Sequence, residues 1–193
     1  MPELMQQPCS PAAAIGCVSA AQFRGALCRV ATAVSVVTTD GKAGLAGVTC
    51  SAVCAVSDDP AMVLVCVHGK SATNIAIRRN GVLCVNCLQS AQRELSQAFA
   101  GVGSIPMRER FALADWATLV TGAPCCRGAL VSLDCEVADV RDMGTHSIFI
   151  AKVLATAESE SSEPLLYQRR SYATTRLLSA DAHDVEDRYV ANR

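Results

Sequence analysis

The sequence has few aromatic residues, no excess of either charge and no long apolar run. Its four Phe, three Tyr and one Trp leave Val, Ala, Leu and Cys to supply most of the packing. Seventeen basic and eighteen acidic residues give a net charge of −1, so no long-range field attracts nucleic acid or an anionic membrane. No run reaches the roughly 18 apolar residues that a membrane-spanning helix needs. We therefore expect neither nucleic acid nor a membrane among its partners.

The N-terminal residues also lack the pattern of a secretion signal. Residues 4–23 carry no charge, Arg24 is the first basic residue, and Pro and Gln interrupt the apolar stretch. A signal peptide needs a basic start followed by a compact apolar block. We expect a cytoplasmic protein, in which cysteines stay reduced.

Cysteine, by contrast, is abundant, with 11 residues. The count is odd, and most cysteines stand where Val or Ala would also fit, as Cys66 does within the apolar run 63–67. Cys84 and Cys87 form a C-x-x-C pair, but they lack the second pair or the spaced histidines that a zinc site requires. We interpret the cysteines as small buried hydrophobes and predict no metal site.

The chain has the length of about one domain. We divide it into an N-terminal arm over 1–20, a folded domain over 21–175 and a charged C-terminal tail over 176–193. Period-2 alternation, β-branched residues and turn signals predict strands at 34–39, 44–50, 53–57, 62–67, 82–88, 129–140, 147–156 and 165–167. Helical spacing predicts helices at 22–31, 71–80 and 91–99. This order indicates a mostly β protein with a few helices, either an antiparallel barrel or a sandwich.

Two motifs leave alternatives open on spacing alone. Gly69-Lys70-Ser71 resembles the end of a phosphate-binding loop of nucleoside triphosphatases, but Leu64 stands where that loop needs a glycine. Lys70, Ser71 and Thr73 at the start of the second helix either bind a phosphate or form an ordinary helix cap. His146, one of three histidines, either takes part in proton transfer or is a surface residue of a hairpin.

A series of short motifs in a fixed order is more informative than any one of them. The motifs are Phe23-Arg24, 33–41, 46–57, 83–88, Leu95-Ser96 with 99–101, Arg110-Phe111, 122–124, 129–135, 144–146 and 166–172. Together they span residues 22–174 and resemble the short-chain flavin reductase family. The greatest similarity is to the reductase components of two-component aromatic monooxygenases, as in the hydroxyphenylacetate system, and to the related pyrimidine-degradation reductases.

The resemblance implies a fold, a reaction and partners. The fold is an FMN-binding split β-barrel with Greek-key connections, usually a homodimer. The reaction is hydride transfer from NADH or NADPH to FAD or FMN as a diffusible flavin. The reduced flavin then passes to a separate flavin-dependent monooxygenase, which we expect to act on an aromatic compound.

The resemblance also implies roles for particular positions. Around the flavin ring it places Thr38, Thr49, Cys50, Ser51, Ala52, Val53, Ser57 and Asp58. Near the flavin phosphate or ribityl chain it places Lys70, Ser71, Thr73, Asn86, Ser96, Phe99, Ala100 and Gly101. His146 corresponds to the family histidine beside the nicotinamide and is the expected catalytic residue, and Arg170 and Tyr172 correspond to the element that covers the pyridine nucleotide.

Three departures from the family pattern qualify these expectations. Cys50 stands where Ala is common, which places an oxidisable thiol near a redox cofactor. Thr145 stands where many relatives have Asp, and 168–171 differs from the usual version, which leaves the choice of pyridine nucleotide open. Two alternatives to a flavin reductase remain open. One is a split-barrel carrier of flavin or haem without turnover, and the other is an oxidase of amines with tightly bound FMN.

Overall fold

A computed structural model describes residues 17–160 and 163–176. The arm predicted over 1–20 and the tail predicted over 176–193 lie almost entirely outside these ranges. The helices are α1 (Ala20–Leu27), α2 (Ala72–Asn80), α3 (Arg93–Phe99) and α4 (Met107–Phe111), with 3₁₀ turns at Ser90–Gln92 and Val102–Ser104. The strands are β1 (Thr32–Ala33), β2 (Ser35–Thr39), β3 (Ala46–Cys50), β4 (Val53–Asp58), β5 (Ala61–His68), β6 (Val82–Cys87), β7 (Trp116–Thr118), β8 (Pro124–Cys126), β9 (Val131–Met143), β10 (His146–Glu158), β11 (Leu166–Gln168) and β12 (Ser171–Ala173). The predicted class, mostly β with a few helices, is confirmed.

Seven strands form one antiparallel sheet in the order β3-β2-β6-β9-β10-β5-β4. Its two edge strands, β3 and β4, are joined only by Ser51 and Ala52, so the sheet must curl until its edges approach each other at this corner. The backbone N–H of Cys66 in β5 donates to the carbonyl of Ala52 at 3.0 Å. No ladder joins β3 to β4 within the described ranges, so the sheet is strongly curled but is not a closed barrel.

Local sequence explains where helix α2 begins and ends. The hydroxyl of Ser71 accepts the backbone N–H of Thr73 at 3.2 Å, which satisfies one of the unpaired donors of the first turn. Gly81 ends the helix with φ 73°, a left-handed conformation that glycine adopts without a steric penalty. Both ends agree with the predicted helix over 71–80.

Two groups of buried side chains hold the sheet and the helices together. The first packs Ile77 of α2 against one face of the sheet, where Val65, Leu83 and Phe149 are fully buried. The second packs beneath α3 and consists of Val34, Val36, Leu88, Leu95, Phe99, Phe111, Cys126, Ala129 and Leu165. This second group fixes α3 beside β3, where the candidate site lies.

The stretch 102–124 contains more regular structure than predicted. It was expected to be a long excursion around Trp116, but it holds α4 and the short hairpin of β7 and β8. The buried carboxylate of Asp134 in β9 stabilises the connection by accepting the N–H groups of Val120 at 2.7 Å and Thr121 at 2.8 Å. None of the helices within the described ranges is long and apolar enough to cross a membrane.

Candidate functional site

Two adjoining cavities open where β3 meets β4. The larger cavity has a volume of about 690 Å³, and the smaller cavity has a volume of about 220 Å³. The larger cavity is lined by Val34, Thr49, Ser51, Arg93, Ser96, Gln97, Ala100, Val102, Tyr167, Arg170, Ser171 and Tyr172. The smaller cavity is lined by Val48, Thr49, Cys50, Ser51, Ala52, Cys66, Val67, His68 and His146. Because Thr49 and Ser51 line both, the cavities meet at these two residues.

The corner between β3 and β4 supplies backbone groups to this junction. Ser51 and Ala52 lie outside both strand ladders, and their N–H groups donate to no backbone carbonyl within the described ranges. Thr49 Oγ1 donates to the carbonyl of Ser96 in α3 at 2.6 Å, which ties the corner to the helix. Backbone N–H groups at a cavity wall are suited to bind a carbonyl oxygen or an anion.

Helix α3 and the hairpin of β11 and β12 supply the polar and charged groups of the larger cavity. Ser96 Oγ and Tyr172 Oη are hydrogen-bonded at 2.9 Å, and the Arg93 guanidinium carbon lies 5.5 Å from the centre of the Tyr172 ring, a cation–π distance. Arg170 occupies the hairpin turn with φ 63°. Two arginines and no carboxylate among the lining residues favour an anionic group such as a phosphate.

Two histidines lie together at the smaller cavity. His68 at the end of β5 and His146 at the start of β10 are paired across the antiparallel ladder, and their ring centroids are 5.2 Å apart at an interplanar angle of 79°. Thr145 Oγ1 is hydrogen-bonded to His146 Nδ1 at 2.8 Å. The backbone N–H of Gly69 donates to the carbonyl of Thr145 at 2.9 Å, which holds the end of β5 against the β9–β10 turn.

Cys50 is better protected than its position in the sequence suggested. It is 7% exposed, and its thiol donates to the carbonyl of Cys66 at 3.4 Å. Burial raises the pKa of the Cys50 thiol to about 11. Since the thiolate is the reactive form, we expect this thiol to be oxidised more slowly than an exposed cysteine.

The structure brings about half of the expected site residues together and leaves the others elsewhere. Those that line a cavity are Thr49, Cys50, Ser51, Ala52, Ser96, Ala100, His146, Arg170 and Tyr172. Those that line neither of these cavities are Thr38, Val53, Ser57, Asp58, Lys70, Ser71, Thr73, Asn86, Phe99 and Gly101.

Asn86 and Thr38 are fully buried and serve the interior of the sheet. Asn86 Nδ2 donates to the carbonyl of Val36 at 3.0 Å, and Asn86 Oδ1 accepts from the Cys126 N–H at 2.7 Å and from Ser132 Oγ at 2.9 Å. Thr38 Oγ1 accepts a further hydrogen bond from Asn86 at 3.1 Å. The polar atoms of both side chains are therefore occupied by other parts of the fold, and neither residue lines either cavity.

The residues expected at a phosphate site at the start of α2 form the contacts of a helix cap. Thr73 Oγ1 donates to the carbonyl of Gly47 at 2.9 Å, and the Ser71 hydroxyl accepts the Thr73 N–H. Lys70 is exposed and lines neither cavity. Val53 packs against the sheet core, while Ser57 and Asp58 lie near the end of edge strand β4.

The remaining expected residues support α3. Phe99 is buried with its ring centroid 5.0 Å from that of Phe111, and Gly101 follows the helix with φ 91°. Sequence reasoning missed Arg93, which lines the larger cavity from α3 together with Ser96, Gln97 and Ala100. Their spacing of i, i+3, i+4 and i+7 on one helix face was an available signal.

Comparison with known proteins identifies the family of this chain. The family model described as "Flavin reductase like domain" matches residues 27–176. An FMN reductase (NADH) RutF 2 from Methylorubrum extorquens (strain PA1) is 48% identical over 155 residues, covering 80% of this chain and 89% of that protein. An FMN reductase (NADH) RutF from Stutzerimonas stutzeri (strain A1501) is 46% identical over 150 residues, covering 78% of this chain and 85% of that protein.

A solved structure shows the same similarity in three dimensions. Flavin reductase PheA2 superposes with a TM-score of 0.75 at 29% identity, covering 83% of this chain and 100% of that chain. The match of the family model to most of the chain and the high identity to full-length relatives confirm the family predicted from the order of motifs. This chain belongs to the flavin reductase family.

Proposed function

We propose that this chain is an NADH:flavin oxidoreductase that transfers hydride from NADH to a diffusible flavin, FMN in preference to FAD. The observation that supports this most directly is the pair of cavities that meet at Thr49 and Ser51. A hydride transfer between two heteroaromatic rings needs two binding spaces that join, so that the reacting atoms can approach to about 3–3.5 Å. The names of the relatives, FMN reductase (NADH), favour the same pair of substrates.

The residues present fit a flavin and a pyridine nucleotide. The larger cavity is within the usual range of ligand pockets, roughly 300–1,000 Å³, and the guanidinium groups of Arg93 and Arg170 suit a phosphate. The N–H groups of Ser51 and Ala52 suit the carbonyl-bearing edge of a flavin ring, where negative charge develops on reduction. Tyr172, held by its hydrogen bond to Ser96, offers an aromatic surface at the same cavity.

The redox chemistry itself is supplied by the bound flavin and pyridine nucleotide. The contribution of the chain is to bind and orient them: Thr49 fixes the corner to α3, and the arginines counter the phosphate charge. His146 lies at the smaller cavity, where its imidazole can hydrogen-bond a nicotinamide carboxamide. We therefore retain His146 as the proposed catalytic residue.

The finer parts of the proposal concern assembly and partners. We infer that the curled sheet is the half-open form of a split β-barrel and that two copies associate as a homodimer. We also infer that reduced flavin leaves this chain for a separate flavin-dependent monooxygenase that acts on an aromatic compound. Structural neighbours such as BorF, described as the flavin reductase component of a two-component tryptophan halogenase, support a two-component arrangement.

The test is NADH oxidation by the purified chain without flavin, with FMN and with FAD. We expect little turnover without flavin, strong turnover with FMN and weaker turnover with FAD. Loss of NADH that does not depend on added flavin would favour a tightly bound cofactor instead. No loss of NADH under any condition, despite flavin binding, would contradict the proposed activity.

The role of His146 has its own test. His146→Ala is expected to slow hydride transfer in single-turnover experiments more than it weakens flavin binding measured by fluorescence quenching. Lys152→Gln is a matched control, because Lys152 lies on the same strand, is exposed and lines neither cavity described above. Equal effects of His146→Ala on both quantities would remove the catalytic role.

A further inference from the structure

His68 is placed where a ligand of the smaller cavity would meet it. It lies directly across the ladder from His146, it is exposed, and it lines the cavity together with Thr49 and Ser51. Its ring packs edge-on against the ring of His146, 5.2 Å away. Because this imidazole is exposed at the wall of the cavity, it can contact a bound molecule.

The hydrogen bonds of His68 fix which ring nitrogen carries its proton. The backbone N–H of Lys70 donates to His68 Nδ1 at 3.2 Å. A nitrogen that accepts a hydrogen bond carries no proton, and a neutral imidazole carries one proton on one of its two nitrogens. The proton of neutral His68 is therefore on Nε2, which makes Nε2–H a hydrogen-bond donor with no competing partner within the described ranges.

His146 differs from His68 in this respect. Its Nδ1 is hydrogen-bonded to the hydroxyl of Thr145, and a hydroxyl can donate or accept. Nδ1 of His146 can therefore carry a proton or lack one without loss of that hydrogen bond. This freedom suits a residue that transfers protons. In neutral His68 the accepting Nδ1 leaves Nε2–H as a donor, which suits recognition of an acceptor atom in a fixed position.

From this asymmetry we propose that His68 is a second ligand-binding residue of the site, which donates Nε2–H to a ring-attached carbonyl oxygen in the smaller cavity. This inference rests on the proposed function, and two substrates carry such an oxygen. NADH carries it in the carboxamide group of its nicotinamide ring, and the flavin carries it at the pyrimidine edge of its ring system. The assay below distinguishes these sources.

The test compares His68→Phe, which removes the donor, with His68→Gln, whose amide nitrogen can replace Nε2–H. Loss of one neutral hydrogen bond weakens binding by about fivefold. We expect His68→Phe to raise either the KM for NADH or the Kd for FMN by that factor, and His68→Gln to restore most of the loss. A rise in the NADH constant identifies the carboxamide as the acceptor, and a rise in the FMN constant identifies the flavin carbonyl.

The test of His68 has one control variant and two negative results that can be told apart. Lys152→Gln on β10 should change neither constant. Wild-type turnover together with unchanged constants in His68→Phe would overturn the role of His68 and leave the proposed function intact, whereas an inactive wild-type chain would overturn both.

A spectroscopic measurement tests the tautomer independently of activity. The chain has three histidines, so ¹⁵N-labelled histidine gives a simple spectrum, which His68→Gln and His146→Gln assign. We expect the Nε2–H form for neutral His68. A neutral His68 with its proton on Nδ1 would overturn the inference, because the ring would then present an acceptor to the cavity.

Discussion

Gly47 in β3 is a position where one added methyl group has a calculable cost. A Cβ atom there would lie 2.6 Å from Cε1 and 2.9 Å from Cδ1 of Phe99, well inside the optimal carbon–carbon separation of roughly 3.5–4.0 Å. Phe99 is 1% exposed and is confined by Phe111 and Trp116, whose ring centroids lie 5.0 Å and 6.0 Å away. The ring therefore cannot retreat, and overpacking of this kind costs about 1–3 kcal/mol.

We expect Gly47→Ala to melt at a lower temperature by about 3–9 °C, because 1 kcal/mol corresponds to a few degrees in a domain of this size. Calorimetry or circular dichroism measures the shift. Gly25→Ala in α1 is the matched control, since its Cβ would meet nothing within 4 Å and alanine favours a helix. The double change Gly47→Ala with Phe99→Leu should cost less than the sum of the single changes, because it removes the clashing ring. A Gly47→Ala protein that melts within about 1 °C of wild type would refute this account of the β3–α3 contact.

Three further outcomes are expected. Asp134→Ala leaves the backbone donors at 120–121 without their carboxylate acceptor, so urea unfolding should show a loss of about 2–4 kcal/mol; an unchanged midpoint would contradict that role. Tyr172→Phe keeps the ring but loses its hydrogen bond to α3, so the KM for NADH or FMN should rise about fivefold with little change in melting temperature, and unchanged constants would argue against a role at the larger cavity. Because burial raises the pKa of Cys50 to about 11, iodoacetamide near neutral pH should label exposed Cys54 and spare Cys50, as mass spectrometry can show; equal labelling would mean that the corner opens.

Local signals account well for the elements of this fold. The predicted cap at Ser71 and the predicted end of α2 at Asn80-Gly81 depend on contacts within one or two turns, and both are present. The long strands β9 and β10 follow the alternation of the sequence because one face of each is packed. Hydrophobic periodicity records such local burial directly.

The arrangement of those elements depends on contacts that the local pattern does not record. Asn86 was expected near the cofactor, yet its amide binds Val36 and Ser132, which are 50 and 46 residues away in the sequence. His68 and His146 are distant in the sequence, and the pairing of β5 with β10 brings them together. Residues at the corner of Ser51 were anticipated only through the family resemblance, because composition gives no reason for two cavities to meet there.

The central claim is that the paired cavities serve repeated transfer of hydride from NADH to free flavin. Anaerobic mixing of NADH with a large molar excess of FMN over protein, monitored by loss of the oxidised-flavin absorbance, tests it most directly. The account predicts that each chain reduces many equivalents of FMN, in step with NADH consumed. Reduction that stops at one flavin per chain, or that proceeds no faster than without protein, would contradict it.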